Sequence, residues 1–336
     1  MADIITQLYE IPTFSFQDGT TLPLARLAYL DLNPGASKTA LIITCFRGRL
    51  KSTPTFADGA LRDHRIIVVA LFGNGESSSP SNTPGFPSVI NYRDCVRAQH
   101  ELLIAHKVQS LNVVVGFSMG GQCAYHWTLM YPDLVQSAVV ICSSARTGPH
   151  NYQFLEGPKA ALQNAVDYID KGRAPPPATG ISRGVHAFGK AYSAWLTSAE
   201  WFDQQAYRSL GYAALGDWDC DVTGVNYAGW DPDDLLAMLH MWQSGDVSTL
   251  VDNEGGSEGG EGSLESALSR IRARVLLMPC QTDQYFRWEA SKREAGFIPA
   301  ATLKVIPSVW GHLAGSGVNK ADAEWLDQAI TEFFAK

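Results

Sequence analysis

Short apolar runs of strand length alternate along the chain with segments of helical periodicity. The runs are near-continuous and rich in Val, Ile and Leu, which is typical of strands buried on both faces of a parallel sheet. They are Thr39–Phe46, Arg65–Leu71, Leu111–Phe117, Ser137–Ser143, Arg274–Cys280 and Thr302–Ile306. The helical segments are Tyr92–Lys107, Met119–Met130 and Ala321–Phe334. This order predicts a doubly wound, mostly parallel α/β sheet, to which Thr13–Gln17 and Leu22–Leu32 add antiparallel strands at one edge.

The alternation stops after Ser143 and resumes at Arg274. The sequence between them is compatible with helix, and it holds five of the nine tryptophans: Trp195, Trp201, Trp218, Trp230 and Trp242. We interpret residues 146–270 as a helical lid insertion over the carboxyl edge of the sheet, and residues 1–145 and 271–336 as the domain that holds the sheet. Within the lid, residues 251–262 (VDNEGGSEGGEG) are acidic and glycine-rich, which predicts a mobile loop.

Charge and composition narrow the range of partners. Among 336 residues, 26 Lys and Arg stand against 34 Asp and Glu, and the resulting net charge of −8 repels a phosphate backbone. No apolar run approaches the ~20 residues of a membrane span, and Met1–Glu10 lacks the basic segment of a signal peptide. None of the eight histidines has a second histidine at a zinc-binding spacing. We therefore expect a cytoplasmic protein that binds no nucleic acid, membrane or metal.

The sequence contains two G-x-S-x-G patterns, and their surroundings distinguish them. Gly255–Gly259 lies in the acidic stretch, where no strand precedes it and no helix follows, so a linker serine is the better interpretation. Gly116–Gly120 follows an apolar run and begins a helical segment. At such a turn the serine is presented for nucleophilic attack, and glycines let the strand and helix approach closely. Ser118 is the predicted nucleophile; the alternative is a glycine-rich turn with an idle serine.

A serine nucleophile requires a base and an acid that orients the base. In this architecture both follow later strands, in the chain order Ser, Asp, His. Asp283 and His312 follow the last two apolar runs, and we predict them as acid and base. Glu289 is the alternative acid and His150 the alternative base. The helical segments hold four histidines that fit this role less well: His100, His106, His126 and His240.

The same architecture indicates which backbone groups would stabilise an oxyanion. One donor is the N–H of Met119, which follows the nucleophile at the beginning of a helix, where negative charge is favoured. The second comes from the loop after the first of the six apolar runs, and Phe46 is the predicted donor.

These segments resemble the homoserine O-acetyltransferase-like branch of the α/β-hydrolase superfamily. The similar segments are Gly116–Gln122 (GFSMGGQ), Tyr131–Asp133 (YPD) and Ser143–Arg146 (SSAR), and Thr44–Gly48 (TCFRG) lies where the family has HALTG. The resemblance implies an α/β-hydrolase fold. It also implies that Ser118, Asp283 and His312 form a catalytic triad, with Phe46 as an oxyanion donor.

The lid departs from the family pattern, which changes the expected substrate. Phe188 aligns where the acetyltransferases carry an arginine for the substrate carboxylate, and Lys190 is a nearby substitute cation. Gly229–Leu236 replaces the family's RFDANSYL segment. A buried carboxylate without a bidentate cation binds poorly, so homoserine is disfavoured. The aromatic-rich lid either accepts an apolar acyl group or packs its own core. The expected substrate-binding residues are Arg47, Phe188, Lys190 and Trp230.

We therefore expect an enzyme that moves an acyl group from an ester or thioester of a small metabolite, through an acyl-enzyme, to a hydroxyl or to water. The resemblance adds a polyketide thioesterase, which releases or lactonises an acyl chain, as an alternative. A non-catalytic small-molecule-binding protein on the same fold is a second alternative. No cofactor is expected, with acyl-CoA or an acyl-carrier thioester among the candidate donors. The expected partners are a small acyl donor and acceptor, with an acyl carrier protein and a homodimer left open.

Overall fold

The computed structural model describes residues 5–169, 182–251 and 263–336. Within these ranges eight strands form one sheet, in the order β1-β2-β4-β3-β5-β6-β7-β8. The strands are β1 (Gln7–Ser15), β2 (Thr21–Leu32), β3 (Lys38–Ile43), β4 (His64–Val69), β5 (Val113–Phe117), β6 (Ser137–Ile141), β7 (Arg274–Met278) and β8 (Ala301–Leu303). From β4 to β8 neighbouring strands pair in parallel, and β1 and β2 add an antiparallel edge. The predicted mostly parallel, doubly wound sheet is confirmed.

Parallel pairing places the carboxyl ends of the central strands at one edge of the sheet. β5 lies between β3 and β6, and its Val113, Val114 and Val115 are at most 2% exposed. The loops that follow β3, β5 and β7 leave the sheet at this edge, which is where ligands bind in open α/β sheets.

The first edge strand differs from its prediction. β1 begins at Gln7, well before the predicted start at Thr13. Only Ile11 and Phe14 are buried in this strand, so the residues before Thr13 form no apolar run that would mark a strand. Pro12 is tolerated because the strand pairs on one side only.

Four predicted strands extend past the ends of β3, β4, β6 and β7. The residues that follow these strands, such as Leu71 and Cys280, are fully buried although they have left the sheet. Apolarity reports burial, and it therefore does not mark where the hydrogen-bonded ladder ends. The last predicted strand, Thr302–Ile306, is shorter in the structure, and Ile306 pairs with Cys280 only through an isolated bridge.

Four helices flank the sheet outside the predicted lid: α1 (Tyr92–Ala105), α2 (Met119–Met130), α10 (Trp288–Ala295) and α11 (Lys320–Phe334). The described part of residues 146–270 forms α3 (Pro149–Gln163), α4 (Val166–Ile169), α5 (Arg183–Ser193), α6 (Ala199–Asp203), α7 (Leu215–Thr223), α8 (Pro232–Gln243) and α9 (Leu264–Ser269). It adds no strand to the sheet, and its division as a separate lid stays a prediction. Of the loop predicted at 251–262, residues 252–262 lie outside the described residues, as does the second G-x-S-x-G pattern.

Local capping chemistry explains where several of these helices begin. The Asn91 side chain accepts hydrogen bonds from the backbone N–H groups of Arg93 and Asp94 at the start of α1. Asp231 caps α8 in the same way, and Pro232 occupies the first helical position, where its missing N–H costs nothing. Among the helices described, none combines the length and apolar character needed to cross a membrane.

Candidate active site

Ser118 lies at the turn between β5 and α2 in a backbone conformation that is rare for serine. Its φ is 57° and its ψ is −125°, and one tertiary and two local hydrogen bonds hold this conformation. The backbone N–H of Ser118 donates to the Ile141 carbonyl at 2.9 Å, and its own carbonyl accepts from the N–H groups of Gly121 and Gln122. Strain that the surrounding structure maintains in this way is typical of functional positions.

Three glycines let the strand, the helix and their neighbours approach this turn. A Cβ on Gly116 would lie 2.0 Å from the carbonyl oxygen of Gly120. One on Gly120 would lie 2.5 Å from the Ile43 carbonyl oxygen, and one on Gly121 would lie 2.5 Å from the Cβ of Ser143. Because these distances are far below van der Waals contact, the geometry of the turn requires glycine at all three positions.

His312 and Asp283 form a hydrogen-bonded pair at the carboxyl edge of the sheet. Nδ1 of His312 lies 2.7 Å from Oδ2 of Asp283. The other carboxylate oxygen accepts from the backbone N–H groups of Tyr285 and Phe286, at 2.8 and 3.2 Å. An ionised Asp283 therefore accepts the Nδ1 proton and leaves Nε2 of His312 free to take up a proton. Both residues are at least 95% buried, which keeps this pair out of bulk water.

Ser118 and His312 line the same cavity, whose volume is about 380 Å³. Phe46 and Arg47, from the loop after β3, line the same cavity. The structure thus brings together the predicted nucleophile, the predicted base and one predicted oxyanion donor, although they are far apart in sequence. Asp283 lies behind His312 and does not line the cavity.

The two predicted oxyanion donors come from different elements, Met119 from the beginning of α2 and Phe46 from the loop after β3. Met119 is the first residue of α2, where a backbone N–H has no acceptor within the helix. Phe46 follows β3 and lines the cavity. Their roles stay predictions, and their placement agrees with donors that converge on a carbonyl oxygen of a substrate bound at Ser118.

Aromatic side chains close one wall of this cavity. Tyr192 lines the cavity, and its ring centroid is 5.5 Å from that of Phe46. Phe188 and Trp242 are fully buried behind them, with ring centroids 6.0 and 5.8 Å from that of Phe46. Trp201 and Trp218 instead pack on each other, with ring centroids 5.1 Å apart. These two tryptophans pack a core of their own, and the expectation that the aromatic residues accept an apolar acyl group stays a prediction.

Of the predicted substrate-binding residues, Arg47 lines the cavity and the other three do not. The Arg47 guanidinium stacks 3.9 Å from the Tyr227 ring centroid and donates to the Asn226 carbonyl at 3.1 Å. Phe188 lies behind the aromatic wall. The remaining two point to other partners: the ammonium of Lys190 forms an ion pair with Asp219, and the ring of Trp230 is covered by the guanidinium of Arg49 at 3.7 Å.

The alternative base and acid lie elsewhere. His150 contacts Trp195, with ring centroids 5.5 Å apart, and lines a different cavity. Glu289 forms an ion pair with Arg287 at 2.8 Å, and hydrogen bonds from that guanidinium lower the pKa of the carboxyl. His150 does not line the Ser118 cavity, and Glu289 is paired with an arginine whereas Asp283 contacts Nδ1 of His312, so Asp283 and His312 remain the better candidates.

Two cysteines lie near the candidate site without the properties of a nucleophile or ligand. Cys45 lines the cavity, and burial raises the pKa of its thiol to about 11. Cys142, Asp283 and His312 place potential metal-ligand atoms within 4.8 Å of one another. Burial holds the pKa of the Cys142 thiol well above its ordinary value, and a protonated thiol is a poor metal ligand.

Two contributions to this site were not among the predicted residues. The first is the pair of backbone N–H groups of Tyr285 and Phe286, which donate to Asp283. An aspartate that accepts from residues two and three positions later forms an Asx-type turn, and a loop aspartate is a sequence signal for such a turn. Tyr192 gave no such signal, because its place on the cavity wall depends on how α5 packs over the sheet.

The chain is similar in sequence and in structure to several known proteins. Residues 41–315 match the family described as alpha/beta hydrolase fold. The chain is 32% identical to the ethyl acetate hydrolase of Pseudomonas veronii, over 96% of this chain and 92% of the relative. It is 29% identical to the homoserine O-acetyltransferase of Chloroherpeton thalassium, over 88% and 80%. The crystal structure of an acetylester hydrolase from Corynebacterium glutamicum superposes with a TM-score of 0.89 at 27% identity, covering 99% of this chain and 96% of that one.

Proposed function

Because the chain belongs to the α/β-hydrolase fold family, we propose that it is a carboxylester hydrolase in which Ser118 is the nucleophile. At the level its relatives share, the protein is an enzyme that hydrolyses esters or transfers acyl groups. The observation that carries the finer proposal is the cavity common to Ser118 and His312, in which Asp283 holds Nδ1 of His312 at 2.7 Å.

The reaction proceeds by double displacement. Nε2 of His312 takes the proton of the Ser118 hydroxyl as its oxygen attacks the ester carbonyl carbon. The carbonyl π electrons move onto oxygen, which accepts hydrogen bonds from the N–H groups of Phe46 and Met119. When this oxyanion collapses, the bond to the leaving alkoxide breaks and His312 protonates it, giving an alcohol and an acyl-serine. Water, deprotonated by His312, repeats the sequence and releases a carboxylic acid and free Ser118.

The size and lining of the cavity support a short acyl group. A volume of about 380 Å³ lies near the lower end of the range for small-molecule sites. Tyr192 and Phe46 form an apolar wall that packs against an acetyl group and blocks a long chain. The relatives named above as an ethyl acetate hydrolase and an acetylester hydrolase support the same class of substrate.

The charges around the cavity bear on whether water or homoserine accepts the acyl group. A homoserine carboxylate requires a free guanidinium or ammonium in the cavity. Lys190 is paired with Asp219 outside the cavity lining, and Phe188 adds no charge. Arg47 lines the cavity; its guanidinium stacks on Tyr227 and donates to the Asn226 carbonyl, while its buried Nε has no partner among the described residues. The esterase relatives therefore carry the proposal that water is the acyl acceptor, and Arg47 is the residue through which a substrate carboxylate would bind if it is not.

The test compares Ser118→Ala with Ser257→Ala, which changes the serine of the other G-x-S-x-G pattern. With p-nitrophenyl acetate as substrate, Ser118→Ala should lower kcat by about 10⁴-fold or more, and Ser257→Ala should leave it unchanged. Retained turnover by a folded Ser118→Ala protein would contradict the assignment. Incubation with acetyl-CoA and homoserine separates the reactions: O-acetylhomoserine formed faster than acetate would contradict hydrolysis as the main activity.

A further inference from the structure

The loop that follows β3 contains a tight turn formed by residues 45–48. The backbone N–H of Gly48 donates to the Cys45 carbonyl at 2.9 Å. Phe46 and Arg47 are therefore the two central residues of this turn. Arg47 has a φ of 56°, and a positive φ at the third position of a turn favours glycine or asparagine. A side chain that keeps this strained conformation must be held by contacts with the surrounding structure.

The side chain of Arg47 is held by residues 226–230, the segment between α7 and α8. Its guanidinium lies 3.9 Å from the ring centroid of Tyr227 and donates to the Asn226 carbonyl at 3.1 Å. Tyr227 is buried, and a cation–π contact is stronger where water is excluded. Arg47 and Asn226 both line the Ser118 cavity, so this contact lies at the cavity wall.

A second arginine of the same loop contacts the same segment. The guanidinium of Arg49 lies 3.7 Å from the Trp230 ring centroid. It also donates to the Asn74 carbonyl, in the loop after β4, at 2.5 Å. Asn74 in turn donates to the Gly48 carbonyl at 3.3 Å. The turn is thus fixed to the loop after β4 on one side and to the 226–230 segment on the other.

The rings around Phe46 strengthen the connection to this segment. The ring centroid of Phe188 lies 5.9 Å from that of Tyr227 and 6.0 Å from that of Phe46. Phe46 is therefore connected to Tyr227 twice, through the backbone of Arg47 and through the ring of Phe188. A displacement of the 226–230 segment would move the turn that carries the Phe46 N–H.

We propose that Arg47 is a positioning residue, whose stacking on Tyr227 holds the 45–48 turn. In this position the turn directs the Phe46 N–H toward the oxyanion that forms during acyl transfer. The role rests on the proposed function, in which that N–H is one of two oxyanion donors. Catalysis then requires the 226–230 segment to stay docked on the turn, because a small displacement of a donor costs much of its effect.

Steady-state kinetics with p-nitrophenyl acetate test this role. Arg47→Met removes the stacking, and Arg47→Gly removes it while also relieving the backbone strain at this position. Both should lower kcat about tenfold or more and keep KM within about threefold, because the acyl-enzyme forms and breaks down through an oxyanion. Affinity for a trifluoromethyl ketone, whose adduct with a nucleophilic serine is an oxyanion, should fall by a similar factor.

Variants of Tyr227 test whether the contact itself is responsible. Tyr227→Leu should lower kcat as Arg47→Met does, and the double variant should lose no more than either single variant, since both break one contact. Tyr227→Phe keeps the ring face and should restore kcat to within about twofold of wild type. Arg208→Met is the matched control, because Arg208 is exposed and stacks on Tyr207 outside the Ser118 cavity lining. It should leave kcat and KM unchanged.

Thermal melting shows whether each variant is folded. If Arg47→Met does not fold, Arg47→Gly carries the test, since glycine is favoured at this φ. The role is overturned if a folded variant of Arg47 keeps kcat within twofold of wild type, or if the losses in the double variant add. A raised KM with an unchanged kcat would also overturn it, and would identify Arg47 as a substrate-binding residue. A wild-type protein without turnover would instead contradict the proposed function, and this role with it.

Discussion

Replacing Asp283 with asparagine tests the orienting role of the carboxylate with little change in shape. Oδ1 of Asp283 accepts from two backbone N–H groups, of Tyr285 and Phe286, so an asparagine side chain must place its amide oxygen there. Its NH₂ group then occupies the Oδ2 position, 2.7 Å from Nδ1 of His312. Since an NH₂ group donates, Nδ1 must accept, and the ring proton moves to Nε2. That nitrogen can then no longer take the proton of Ser118.

The expected loss follows from this tautomer change together with the lost stabilisation of the imidazolium ion. We expect Asp283→Asn to lower kcat for p-nitrophenyl acetate about 10⁴-fold near pH 7, which corresponds to about 5.5 kcal/mol of transition-state stabilisation. The melting temperature and circular dichroism should stay close to wild type, since the residue volume and the backbone hydrogen bonds are retained.

Glu289→Gln is the matched control, because this carboxylate lies nearby on α10 and was the alternative acid. It should keep kcat within about twofold, as expected for an exposed ion pair outside the cavity. The account would be refuted if folded Asp283→Asn retained a kcat within tenfold of wild type. A large loss in Glu289→Gln with none in Asp283→Asn would identify Glu289 as the acid.

Three further predictions concern stability and substrate size. Burial raises the pKa of Glu294 from 4.5 to about 7, so between these values the folded protein holds a proton that the unfolded chain has released. The free energy of unfolding therefore falls as pH rises through this window. Urea unfolding at about pH 5 and about pH 8 measures this fall, and Glu294→Gln should make it smaller by about 3 kcal/mol. Gly120→Ala places a Cβ 2.5 Å from the Ile43 carbonyl oxygen and should lower the free energy of unfolding by about 1–3 kcal/mol. Gly157→Ala, in open space on α3, should raise it by about 0.5–1 kcal/mol. Tyr192→Ala enlarges the cavity and should raise the kcat/KM ratio of hexanoate to acetate esters about tenfold; an unchanged ratio would remove Tyr192 from the acyl-binding wall.

The sheet and the candidate site were predictable for a shared physical reason. Strands buried on both faces must be apolar throughout, so β3 to β7 are visible as Val- and Ile-rich runs. Parallel pairing then brings the ends of β5 and β7 to one edge, which is why Ser118 and Asp283 could be placed before any coordinates. Gly116 and Gly120 also indicated that backbone segments approach each other closely at the Ser118 turn.

Features that depend on side-chain packing between distant segments could not be predicted. β1 is an edge strand with few buried residues, so its beginning left no apolar pattern. Lys190 was expected at the substrate, but its partner Asp219 lies on α7, and sequence spacing does not show how α5 faces α7. The stacking of Arg47 on Tyr227 is likewise invisible until the packing of the 226–230 segment is known.

The most direct test of the central claim is the covalent labelling of Ser118. The protein is incubated with a fluorophosphonate, its intact mass is measured, and the modified peptide is sequenced by tandem mass spectrometry. A single adduct on Ser118, absent from Ser118→Ala and weakened in His312→Ala, is the predicted result. An adduct on another residue, or none on a folded protein, would contradict the assignment of Ser118 as the nucleophile.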